Sequence, residues 1–196
     1  MSGHIYQVNL VIQSLDKHKS YLEEIAFDWA EVSDNIAYHL GYLEYLYQIN
    51  RQIPLESYPF LNGLRIKTII VEIASCAEVL LYDALIHTEV VDKWSNRNPF
   101  KLKPSVGFTV MLQYAVDYAV ITTSLHGRLH KLFDLRHKIH LTHCGRDPYE
   151  FNESLLKDSE RTYEDLIKHF LDKRYRAVSK PKTDFSSVPF PWKEIL

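Results

Sequence analysis

The stretch LFDLRHKIHLTHCG, residues 132–145, sets one arginine among three histidines. His137 follows Arg136 directly, His140 stands about one turn further on and His143 about two. At ~100° per residue, Leu125, Leu129, Leu132, Leu135 and Ile139 share one arc of a helix, and Arg136 and His143 fall in the middle of it. His140 lies at its border. A guanidinium on an apolar arc is costly unless it is paired or the arc opens onto a cleft. Arginine offers planar donors to a phosphoryl group, and imidazole near neutral pH both takes and gives a proton. The set therefore suits a phosphate-handling site. The structural alternative pairs Arg136 with an acid on another helix, such as Glu72 or Asp83, and leaves His140 and His143 as hydrogen-bonded residues near a helix end, where the dipole favours a cation.

The elements that must position these residues are helical. Apolar residues recur at threes and fours from about 17 to 50 (Tyr21, Ile25, Trp29, Val32, Ile36, His39, Leu43), which predicts one long helix. A Pro- and Gly-containing loop follows. A second helix, about 62–88, is apolar on most sides and reads as the central element. The polar connection 95–107 leads to helices over about 108–121, 123–143 and 152–175. Gly145 and Pro148 supply a stop for the motif helix. Five helices with little strand signal predict an all-α antiparallel bundle. Residues 1–175 read as a single domain, and 176–196 as an extended basic and aromatic tail in which Phe190 and Trp192 clip onto the body or a partner.

At 196 residues, with 46% hydrophobic and 24% charged residues, the chain suits one soluble domain with a proper core. Its formal charge of −2 argues against coating nucleic acid by bulk electrostatics. The charge is uneven, however, because KRYRAVSKPK (173–182) holds bases and no acid. Lys173, Arg174 and Arg176 there read as a solvated tail or as a phosphate-attracting arm. Cys76 and Cys144 form no CxxC pair, and no basic stretch followed by an apolar run opens the sequence. The expectation is a reducing, cytoplasmic setting with no membrane span.

The run LHGRLHKLFDLRHKIHLTHCG resembles the signature helix of the HEPN superfamily, the higher eukaryotes and prokaryotes nucleotide-binding domains. Its hallmark is Arg, a polar residue that is often Asn, then His after four to six intervening residues. Arg136 and His143 satisfy the six-residue spacing and His140 falls short of it, so His143 is favoured. His137 stands where the family often has Asn. IKTIIVEIASCAEVLLYDALI and VGFTVMLQYAVDYAVIT also resemble HEPN helices, so the likeness spans about 62–145. It implies a HEPN-like helical domain that dimerises through the motif helix. It further implies a metal-independent endoribonuclease of a prokaryotic defence or toxin–antitoxin system, with no cofactor and with RNA, a nucleotide or an antitoxin as partner. Arg136, His143 and His140 would be the catalytic residues, with His137, Lys173, Arg174 and Arg176 contacting substrate.

Two other readings stand beside this one. His126, His130 and His137 lie on one flank of the same helix, where i, i+4 histidines can share a metal. Alternatively, the chain is a catalytically inactive HEPN-like module that binds nucleotide or protein, using the tyrosines of YHLGYLEYLYQI (38–49) and the aromatic tail.

Overall fold

The computed structural model of the chain describes residues 15–25, 29–52, 58–87, 107–138, 151–173 and 183–193. These residues form six α-helices and one 3-10 turn, with no strand among them. The helices are α1 (15–25), α2 (Trp29–Gln52), α3 (Pro59–His87), α4 (Phe108–Asp117), α5 (Thr123–Lys138) and α6 (Glu153–Lys173). The 3-10 turn is Phe185–Ser187. The all-helical bundle follows from the apolar periodicity. The helix boundaries differ from expectation in three places.

First, the stripe from 17 to 50 belongs to two helices. His18 Nε2 lies 2.9 Å from Glu44 Oε1, and Lys19 Nζ lies 2.8 Å from Asp34 Oδ1. Leu15 also packs on Gly41. One continuous helix rising ~1.5 Å per residue would hold such residues tens of ångströms apart, so α1 folds back along α2. Second, α3 begins at Pro59, within the expected loop, because proline is well suited to a helix's first turn, where its missing N–H costs nothing.

Third, the helix expected over 108–121 stops at Asp117. Ala119 adopts φ 57° and its N–H donates to Val116 O at 2.9 Å, closing the helix with a left-handed cap usually built by glycine. Thr122 then starts α5, its Oγ1 accepting from Leu125 N at 3.2 Å. His169 Nε2 stands 2.8 Å from Val120 O and ties this corner to α6. A left-handed alanine costs roughly 1 kcal/mol. Ala119→Gly is therefore expected to raise stability by about 1 kcal/mol, read as a higher urea midpoint at unchanged slope.

α3 is the hub. Ile66, Ile69, Ile70, Ile73, Ala77 and Leu80 are sealed from solvent, and α3 packs against α2, α4, α5 and α6. His39 stands as far before the end of α2 as Glu72 stands past the start of α3, and the two side chains meet, which sets α2 and α3 antiparallel. Asn152 caps α6, its Oδ1 accepting from Ser154 N at 3.0 Å and from Leu155 N at 3.1 Å. Residues 183–193 are not a free tail. Val188 and Phe190 are buried members of the core, so of the two alternatives for the aromatic segment it is the body that Phe190 packs onto.

Candidate functional site

α5 carries the motif arginine in its last described turn. Leu125, Leu129, Leu132 and Phe133 are buried, with Phe133 resting on Phe108 of α4. Leu135 is half-buried. Arg136 points from the same arc toward α3, where its Nη1 donates to Glu78 Oε2. The pairing with an acid of the second long helix that the structural alternative expected is thus present, at Glu78 and not at Glu72 or Asp83, the examples offered from sequence. Glu72 is engaged by His39 on the other flank of α3, and Asp83 is buried.

The Arg136–Glu78 pair is not sealed in the core. The two side chains keep 33% and 35% of their surface exposed. The carboxylate orients the guanidinium through a single hydrogen bond among the described residues. On a helical wheel for α3, at ~100° per residue, the arc between Glu72 and Glu78 carries Leu64, Thr68, Val71, Ser75, Val79 and Tyr82. All six are exposed or half-buried. This largely half-buried strip is flanked by α2, through His39–Glu72, and by α5, through Arg136–Glu78. Arg136 therefore stands at its edge, partly in solvent.

His137 and Lys138 are exposed beyond Arg136. Lys173 is the last residue of α6. His140, His143, Arg174 and Arg176 lie outside the described residues, as does the expected stop at Gly145 and Pro148. The structure thus places Arg136 and His137 at the end of α5 and does not test their convergence with the other motif residues.

The rings of His126 and His130 are 6.1 Å apart, and His130 Nδ1 lies 3.0 Å from Asp134 Oδ2. Among the described residues, no three His, Cys, Asp or Glu side chains gather closely enough to hold a metal. Cys76 is buried, and burial pushes its thiol well above the ordinary range, so it carries no nucleophile at neutral pH.

Sequence reasoning missed two side-chain pairs. His39 Nδ1 lies 2.5 Å from Glu72 Oε2 at the α2–α3 seam, with His39 partly exposed. Tyr47 donates its hydroxyl to Glu160, whose carboxyl is raised above the usual carboxylate range chiefly by burial. Each pair joins different helices, so no local spacing announces it.

Comparison of the chain with protein-family models, with curated proteins and with solved structures finds no match. Among the described residues, no helix is long and apolar enough to cross a membrane.

Proposed function

We propose that the chain is a metal-independent endoribonuclease of HEPN type, acting in a prokaryotic defence or toxin–antitoxin setting. The observation that carries this reading is the half-exposed, carboxylate-oriented Arg136, at the end of the helix from which the sequence runs on to His140 and His143. A guanidinium buried against an internal acid would have no access to a substrate. This one keeps about a third of its side chain in solvent.

In this reading His143, or alternatively His140, removes the proton from a ribose 2′-hydroxyl, and the oxygen attacks the adjacent phosphorus. Arg136 neutralises the charge that builds on the phosphorane oxygens. A second histidine protonates the departing 5′-oxygen, leaving a 2′,3′-cyclic phosphate and a 5′-hydroxyl. His137 and the basic residues Lys173, Arg174 and Arg176 contact the RNA backbone. The test is incubation of the purified chain with structured RNA in EDTA. Cleavage leaving cyclic-phosphate ends is expected. Intact RNA, or cleavage that needs an added divalent metal, refutes the proposal.

A second reading, an inactive module that binds a partner, is favoured by one observation. The outward sides of α2 and α3 expose an unusual amount of aromatic surface among the described residues. The HEPN reading also calls for a dimer through the motif helix. The outward side of α5, however, carries Arg128, Lys131, Asp134 and Lys138 and offers no apolar seam in its described part.

A further inference from the structure

We infer that His126 and His130, one turn apart on α5, hold a divalent transition-metal ion between them. Histidines at i and i+4 share one helix face, the spacing that helical zinc sites use. The two rings stand 6.1 Å apart, centroid to centroid, with 44° between their planes. Two imidazoles on one tetrahedral zinc, at ~2.0–2.1 Å per Zn–N bond, have centroids about 5 Å apart. The rings therefore need to approach by only about 1 Å, which side-chain torsions supply without moving the helix. Both side chains are half-buried, so they lose less freedom on binding than fully exposed rings would.

The second observation is Asp134, one further turn along. Its Oδ2 lies 3.0 Å from His130 Nδ1. A carboxylate there accepts from the Nδ1–H, which fixes the tautomer and leaves the Nε2 lone pair for a metal. Metal-binding histidines are held by an acceptor of this kind, which also raises their basicity. No cation on α5 opposes the ion. Arg128 turns to α6 and pairs with Asp165, and Lys131 falls ~100–140° round the helix from the two rings. Among the described residues no third His, Cys, Asp or Glu joins the pair, so water completes the coordination shell. An imidazole pair suits zinc, copper or nickel, whereas calcium and magnesium take oxygen ligands. His137, the third histidine of this flank by sequence, stands ~10.5 Å further along the axis and is out of reach.

This inference does not rest on the ribonuclease reading, because Arg136 faces α3 and takes no part in the site. Its test is isothermal titration of the full chain with zinc chloride, with no RNA present. His126→Ala and His130→Ala are each expected to bind one equivalent fewer than wild type. Asp134→Ala should keep the stoichiometry and bind about 10-fold more weakly. Saturating zinc should raise the wild-type melting temperature by several degrees and that of His130→Ala by less. Alanine favours helix, so far-UV circular dichroism should be unchanged in all three variants. If a histidine variant fails to fold, cobalt(II) added to the wild-type chain replaces it. Its paramagnetic broadening of the NMR spectrum should then centre on His126 and His130. A wild-type chain that binds no zinc at roughly millimolar concentration, zinc uptake unchanged in both histidine variants, or broadening centred elsewhere overturns the inference. Unchanged affinity in Asp134→Ala overturns the orienting role of that carboxylate.

Discussion

Arg136→Ala is expected to lower RNA cleavage in EDTA at least ~100-fold, the scale of losing a principal donor to a developing oxyanion. The melting temperature should fall by no more than about 4 °C. The second figure follows from the pair's exposure. With about a third of each side chain in solvent, the Arg136–Glu78 interaction contributes about 0–1 kcal/mol. For a protein of this size 1 kcal/mol moves the transition by about 2–4 °C. Glu78→Gln is the discriminating companion. It breaks the same ion pair and should cost similar stability, yet it leaves the guanidinium in place. Cleavage should therefore fall several-fold in Glu78→Gln, where the amide oxygen can still accept from Arg136, and far more, at least ~100-fold, in Arg136→Ala. Equal loss of cleavage in both variants makes Arg136 a structural residue. A melting temperature depressed by 10 °C or more in Arg136→Ala points the same way. Both measurements use purified chain and one RNA, so the two roles separate cleanly.

The arc of α5 that places Arg136 toward the core side is legible from sequence, because a helical wheel needs only the ~100° step and a correct helix. Its partner is not. Glu78, Glu72 and Asp83 all lie on α3, and only the packing of α5 against α3 selects Glu78. The same limit hides His39–Glu72. His39 sits in the apolar stripe of α2 by spacing, yet it stands partly exposed at the seam with α3. Helix ends follow the same logic. The start of α6 can be read because Asn152 is a strong cap. The end of α4 cannot, since alanine does there what glycine usually does. The folding-back of α1 along α2 is equally silent, with no Gly or Pro between Lys17 and Gly41 to mark it. Contacts between distant residues decide these points, and periodicity within a segment does not encode them.

The C-terminal segment gives the largest expected effect on stability, and its basis is core burial. Phe190 is 2% exposed, stacks on Trp192 with ring centroids 5.4 Å apart, and meets the edge of Tyr163 on α6 at 6.4 Å. Trp192 Nε1 donates to Glu164 Oε1 at 2.6 Å, and its ring lies 6.3 Å from that of Tyr47 on α2. Upstream, Thr183 donates its N–H and its hydroxyl to the two oxygens of Glu24 on α1, at 2.9 and 2.8 Å. One segment thus straps α1, α2 and α6 together and closes the core around Tyr163. Removing a buried phenylalanine side chain costs about 3–5 kcal/mol, a large part of the ~5–15 kcal/mol that holds a domain folded. Phe190→Ala is therefore expected to lower the melting temperature by about 10 °C. Ending the chain at residue 182 should remove the cooperative transition altogether. Lys193→Ala, at an exposed position whose ammonium lies 2.9 Å from Glu164, should change the transition by no more than a few degrees. A chain ending at 182 that melts within a few degrees of the full one would return this segment to the status of an accessory tail. Its aromatics would then be free for a partner, because Phe190 and Trp192 cannot fill the chain's own core and bind another protein at once.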